Sequence, residues 1–255
     1  MAANKSVEKA LKILGLISSH PDGLSLTDIY KELKMPKATV YDILQALYKE
    51  DAIYYKDQHL KTYVIGSRIF AIGQAYTKNS NFINFAGQSL KQFAEKYDLT
   101  AFACKRLSDK LTYIYKYESP RTKITTTDVG VQIPLYLDAA GKVFLAYVKK
   151  ERQEELLKDI LENDFNGVET KEYKKILDDL IKIKSLGYCL DDGESTDYIC
   201  VYAVPVFNFE NKIVGALSAT RIMDKKNNVM DEINELLEIA QEVSKKQGYV
   251  KRTRE

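Results

Sequence analysis

The stretch MPKATVYDILQAL, residues 35–47, decides how the N-terminal part of this chain folds. At about 100° per residue, Val40, Ile43, Leu44 and Leu47 fall on one stripe and leave Ala38, Tyr41, Asp42, Gln45 and Lys49 on or beside the opposite side. Pro36 suits the start of such a helix, because the N–H it lacks would find no partner in a first turn. A helix serving only a core would need no such outer face.

Upstream, Ser6 is placed to cap a first helix with Val7, Leu11, Leu14 and Ile17 on one face, and His20-Pro21-Asp22-Gly23 ends it with turn chemistry. Ser25 and Asp28 form a capping-box pattern opening LTDIYKEL, with Leu26, Ile29 and Leu33 inward. Downstream, AIYYK and KTYVI alternate as two short strands joined by Asp57-Gln58-His59-Leu60. Three helices and a hairpin make a winged helix-turn-helix over residues 1–66, whose third helix keeps a polar face free for a major groove while the hairpin reaches the backbone of a duplex. A helical module for protein contact is the other reading of this pattern.

Beyond Gly66, SRIFAIGQAY is a linker helix within residues 67–81, and Lys78-Asn79-Ser80-Asn81 breaks it before an amphipathic run with Phe82, Phe85, Leu90, Phe93 and Tyr97. These two helices are expected to join the halves. From Thr100 the texture turns to strands, TAFACKR, LTYIYKYES and IVGALSATRI, interleaved with helices at GKVFLAY, ERQEELLKDIL, YKKILDDLIKIKS and VMDEINELLEIAQEVSKK. The fold class is α+β, with residues 82–250 forming a second domain of helices on an antiparallel sheet.

The totals set bounds. In 255 residues, 38 basic and 36 acidic side chains nearly cancel, and the same balance holds up to Gly66, which argues against strong non-specific attraction to DNA. Three cysteines, Cys104, Cys189 and Cys200, lack paired spacing and point to a reducing, cytoplasmic setting in which they serve as small buried hydrophobes. Both histidines, His20 and His59, lie in the N-terminal domain, so the larger domain has no imidazole for acid-base work, and no phosphate-cradling glycine loop or HExxH occurs. No catalytic residue, metal site or cofactor is expected. A thiol redox catalyst using Cys200 or Cys104 is the enzymatic alternative, and a scaffold assembled through the apolar stripe of the last helix, Ile233, Leu236, Leu237, Ala240 and Val243, is a third, although that stripe is expected to pack on the sheet.

Four stretches in order resemble the IclR family of bacterial transcriptional regulators. SVEKALKILGLI with LSLTDIYKELKMPKATVYDILQALYKEDAIYYKDQHLKTYVIG is similar to the family's winged helix, and PLYLDAAGKVFLAY to its PLHASALGKALLA segment. LGYCLDDGESTDYICVYAVPVF and IVGALSAT resemble its effector-domain signature, GYxxDxxE followed by a Cys and a PV(F/Y) strand. The resemblance implies a DNA-binding regulator, often a repressor, with a GAF-like domain that binds a small organic acid or sugar acid, working as a homodimer or tetramer on a palindromic operator.

Carried over residue by residue, the resemblance places the effector near Ala139, Ala140 and Gly141 and beside Asp191, Ser218 and Thr220. N–H groups opening the Gly141 helix would favour an anion, and the two hydroxyls share one strand face. Aligned from Glu194, the family's pocket cysteine falls on Val201, with Cys200 turned to the other side, and Tyr198 stands where the family has glycine, implying a bulkier entry. On the DNA side, Lys37 and Thr39 match positions near phosphate, and Ala38, Tyr41, Asp42 and Gln45 are candidates for base edges. Asp42 departs from the family's arginine. Lys56, Lys61 and Arg68 are expected to meet phosphate.

Overall fold

A computed structural model describes residues 5–57, 59–78, 81–122, 124, 126–163, 170–192, 198–223 and 228–250. Gln58 of the hairpin turn, Asn79 and Ser80 of the predicted break, and Glu194 of the signature lie outside the described residues. The chain divides into two compact units, residues 1–79 and 80–255.

The first unit runs α1 (Lys5–Ser18), β1 (Leu24–Ser25), α2 (Leu26–Glu32), α3 (Lys37–Lys49), β2 (Ile53–Asp57), β3 (Thr62–Ile65) and α4 (Ser67–Lys78). The predicted capping box is present: Ser25 Oγ accepts from the Asp28 N–H while Asp28 Oδ2 accepts from the Ser25 N–H. Val40 and Leu44 of α3 are buried, with Ile43 and Leu47 packed beside them, so the stripe read from residues 35–47 is the one that faces the core. The hairpin gains an unforeseen third strand, since β1 pairs with β3 in a sheet ordered β1-β3-β2.

Two details of α1 differ from expectation. The helix already includes Lys5, so Ser6 lies inside its first turn rather than capping it. Of the expected face, Ile17 is buried and Leu14 packs beside it, whereas Val7 and Leu11 are 56% and 64% exposed and Ile13 is buried in their place. Ile13 and Ile17, four residues apart, belong to the apolar cluster that holds Val40 and Leu44, which leaves the Val7–Leu11 edge in solvent.

The second unit contains α5 (Asn81–Tyr97), β4 (Thr100–Leu107), β5 (Lys110–Glu118), β6 (Gln132–Pro134), a short turn of 3-10 helix at Leu135–Leu137, α6 (Ala139–Ala146), α7 (Lys150–Asn163), α8 (Thr170–Leu186), β7 (Cys189–Asp192), β8 (Ile199–Phe207), β9 (Ile213–Ile222) and α9 (Val229–Lys246). Its six strands form one antiparallel sheet ordered β6-β5-β4-β9-β8-β7. Strand alternation sends successive side chains to opposite faces, and each face carries its own core. Leu217, Ala219, Tyr202 and Val204 meet α5 and α9 on one side. Phe102, Cys104, Ala203 and Ala216 meet α6 and α8 on the other.

The run with Phe82, Leu90 and Phe93 is therefore not a second connector. It is α5, buried against the sheet and α9 because its apolar stripe has a partner there. The stripe of α9 likewise packs on the sheet through Ile233, Leu236, Ala240 and Val243. All three cysteines are buried. No helix among the described residues is long and apolar enough to cross a membrane, and no trio of potential metal ligands is assembled among them.

Candidate nucleic-acid interface and effector face

On α3, Lys37, Ala38, Tyr41 and Asp42 are exposed, whereas Thr39 and Gln45 are half-buried at the edges of the same surface. The helix is braced from beneath by the tyrosines of the wing. Tyr55 and Tyr63 share a hydroxyl contact of 3.1 Å, and Tyr48 of α3 sits with its ring centre 5.0 Å from that of Tyr55. Burial and the neighbouring Tyr55 push the Tyr63 phenol up, so it stays protonated.

The wing cations divide. Lys61, exposed and in the left-handed region at φ 50°, follows a turn that Asp57 ties by accepting from the His59 and Leu60 N–H groups. Lys56 instead donates to Asp22 Oδ1 at 2.9 Å and to the Pro21 carbonyl, anchoring the wing to the turn after α1. That ammonium holds the Asp22 carboxyl below its usual range. Arg68 reaches Glu50 at the end of α3. Lys56 and Arg68, both expected at phosphate, are thus engaged within the unit, but exposed pairs of this kind are worth at most about 1 kcal/mol, so a phosphate competes with the carboxylates.

In the sheet, register brings the expected effector residues together. Asp191, Val201, Thr220, Thr100 and Glu118 stand in one cross-strand row, and Cys189, Ala203, Ser218, Phe102 and Lys116 in the next. Both rows lie on the α6 side, so Asp191, Val201, Ser218 and Thr220 share a face, while Cys200 belongs to the opposite core. Ser218 is buried, with its hydroxyl 3.8 Å from the Cys104 sulfur. Burial pushes the Cys104 thiol well up and that of Cys189 to about 12, which disfavours a reactive thiolate at these two positions. Tyr198 does not narrow the face: it is 78% exposed, at φ 66°. Its conformation explains a family glycine there, since the left-handed region favours that residue.

Ala139, Ala140 and Gly141 open α6, as expected, but the Ala140 donor is taken. Asp138, one residue earlier, caps the helix: its Oδ1 accepts from the Ala140 N–H at 2.7 Å, and its Oδ2 accepts from the Tyr113 hydroxyl at 3.0 Å. Burial pushes the Asp138 carboxyl above its ordinary range, these hydrogen bonds pull it down, and nearby Asp191 adds to the rise. Gly141 has a packing reason of its own, because a Cβ there would lie 2.0 Å from the Leu135 carbonyl oxygen. Sequence reasoning passed over Asp138, Tyr113 and Thr100; the signal for the first was Asp where the family segment PLHASALGK has Ser.

A separate cavity of about 700 Å³ lies among Tyr147, Pro205, Phe207, Ala240, Lys245 and Tyr249, and none of the predicted effector residues lines it.

Comparison with known proteins agrees with this fold. The chain matches the family described as "IclR helix-turn-helix domain" over residues 6–57 and "Bacterial transcriptional regulator IclR C-terminal" over residues 74–246. It is 27% identical to an uncharacterized HTH-type transcriptional regulator of Haemophilus influenzae, covering 96% of this chain and 94% of that one. It is 25% identical to the DNA-binding transcriptional repressor YiaJ of Escherichia coli, covering 98% and 90%. An IclR transcriptional regulator from Alicyclobacillus acidocaldarius superposes with a TM-score of 0.82 at 29% identity, covering 96% and 99% of the two chains. The Thermotoga maritima IclR structure shares the fold, with a TM-score of 0.70 at 24% identity over 97% and 100%. These relatives are regulators rather than enzymes, and the chain belongs to the IclR family of bacterial helix-turn-helix transcriptional regulators.

Proposed function

We propose that the protein is a repressor whose grip on double-stranded DNA is altered by a small metabolite bound on the α6 face of its sheet. The observation that carries this reading is the pairing of an exposed polar face on α3, above a fully packed core, with a buried polar face on a separate unit. The similar E. coli repressor YiaJ supports the sign of control. Lys37 and Thr39 with Lys61 contact phosphate, joined by Lys56 and Arg68 when their carboxylates yield; Ala38, Tyr41 and Gln45 read base edges, and Asp42 accepts from a cytosine amino group.

The near-neutral charge of residues 1–66 limits single-copy affinity, so binding requires a homodimer, or a tetramer of two, on a palindromic operator. The exposed Val7 and Leu11 of α1 and Phe70 and Ile72 of α4 support self-association, since apolar side chains grouped on one unit gain by being covered. Metabolite binding changes operator affinity by favouring one arrangement of the two winged helices over another.

The test is retardation of DNA from the region upstream of the protein's own gene. Tyr41→Ala and Gln45→Ala each weaken specific binding about tenfold or more while leaving the thermal midpoint unchanged, as loss of a base contact does. Wild-type protein that fails to shift any such fragment in low salt, as a dimer, refutes the regulator reading.

A further inference from the structure

The first turn of a helix offers unpaired N–H groups and the positive end of its dipole, and an anionic ligand binds there when those donors are free. At α6 the Ala140 donor is not free. Its N–H is held by the Asp138 carboxylate, which is fixed from the sheet by the Tyr113 hydroxyl. An internal anion occupies the place where an acid effector would put its own.

The surrounding charges reinforce this. Asp191 lies on the same face, close enough to oppose ionisation of Asp138. The lysines of this side are already committed: Lys116 bridges Glu118 at 3.2 Å and Asp128 at 3.3 Å, and Lys142 lies 3.7 Å from Asp179. Both ammonium groups are therefore already opposed by carboxylates. A ligand carboxylate would add a further negative charge to a site shielded from water, where like charges repel strongly.

A second, independent feature points to a ligand. Thr100 is 0% exposed, and its hydroxyl has no hydrogen-bond partner. It stands between Thr220 and Glu118 in the row that starts at Asp191. A buried hydroxyl is normally satisfied, so an unsatisfied one on a polar face suits a partner that arrives from outside. Hydroxyl groups on a ligand would serve Thr100, Thr220 and Ser218, and a carboxylate retains acceptor capacity beyond the bonds Asp138 already accepts.

We propose that the effector is a small hydroxylated amine, an amino sugar or amino polyol, whose ammonium group is held by Asp138 and whose hydroxyls meet Thr100, Thr220 and Ser218. This deepens the reading of the α6 face as the effector site and rests on it. It replaces the organic-acid class that the family resemblance implies with one of opposite charge.

The experiment uses full-length protein at neutral pH and sets of matched compounds on one skeleton, such as glucosamine, glucose and glucuronate with the corresponding polyols. Thermal shift and titration calorimetry read binding. The amine member is expected to raise the midpoint, and the acid member to bind at least about tenfold more weakly. Asp138→Ser keeps a capping hydroxyl on α6 and reverses the order of amine and acid; Asp138→Asn, which keeps the side chain's shape, also abolishes the preference for the amine. The proposal is overturned if acids bind the wild type as tightly as their matched amines, if no amine in the sets shifts it, or if both variants keep the wild-type order. DNA retardation run in parallel separates the two ideas. An amine that binds without changing operator affinity upholds the effector class and breaks the regulatory coupling, whereas DNA release by a matched acid with no response to amines does the reverse.

Discussion

The two faces of the six-stranded sheet are written by alternate residues of the same strands, yet they solve opposite problems. Toward α5 and α9, Leu217, Ala219, Tyr202 and Val204 close against Phe93, Leu236 and Val243. The charges admitted there are mutually satisfied: Glu232 accepts from the Tyr202 hydroxyl at 2.6 Å and pairs with Arg221. Toward α6, the neighbouring positions Ser218 and Thr220 join Asp191 and Thr100 on a polar face where the Thr100 hydroxyl has no partner. The charges of one face are satisfied by folding, and a hydroxyl of the other is left for a ligand to satisfy. Because the period of a strand is two, a regulator can change its ligand through one set of residues without touching the set that holds the domain together.

The largest test of this contrast is Glu232→Ala. Glu232 is 2% exposed, and its removal strands a mostly buried guanidinium and a buried phenol. Breaking one side of such a network costs about 3 kcal/mol, which urea unfolding of the variant measures as a lower midpoint at unchanged slope. Ligand preference should not change in the protein that remains folded. A loss below about 1 kcal/mol, the size of an exposed pair, would show that the Glu232 network is open to water.

A pair of threonines probes the contrast more finely. Thr100 and Thr112 are both buried with unpartnered hydroxyls, but Thr112, next to Leu111 and Tyr113 on β5, points away from α6. Replacing either with Val removes an unsatisfied buried hydroxyl and is expected to stabilise the unliganded protein by about 1 kcal/mol. Only Thr100→Val should weaken the thermal response to ligand. Equal responses in the two variants would mean that the Thr100 hydroxyl is a folding defect and not part of a site.

Much of this was legible in the sequence because it depends on local patterns. The stripe Val40–Ile43–Leu44–Leu47, the Ser25–Asp28 box and the strand-like texture of TAFACKR each encode their own geometry and were read correctly. The orientation of α1 was legible only in part: Leu14 and Ile17 turn to the core as read, but that Ile13 joins them while Val7 and Leu11 stay exposed depends on the position of Val40 and Leu44 in the fold. Strands β1 and β6, of two and three residues, are too short to show a period. At the candidate site, register could be inferred for Ser218 and Thr220 from their spacing, and for Val201 against Cys200 from alternation. The role of Asp138 could not be found that way, because whether a helix N-terminus is open to an anion depends on which side chain turns back onto it, and here that side chain is also held by Tyr113, 25 residues earlier.

Tyr198 gives the smallest expected effect and separates the entrance of the site from its floor. The sequence alone suggested that a tyrosine in place of glycine would crowd the effector, yet the ring is solvent-exposed and the cost lies in the backbone, at φ 66°. The Tyr198 carbonyl is fixed there by the Met223 N–H at 2.8 Å, so the residue cannot relax into a commoner conformation without losing that bond. Left-handed geometry disfavours a residue with a Cβ by roughly 1–2 kcal/mol, and glycine's greater freedom in the unfolded chain returns part of the gain. Tyr198→Gly should therefore stabilise the protein by about 0.5 kcal/mol in urea unfolding, with ligand affinity and charge preference unchanged. If the substitution altered affinity instead, the ring would belong to the effector site, and the polar face would extend past the sheet to the start of β8.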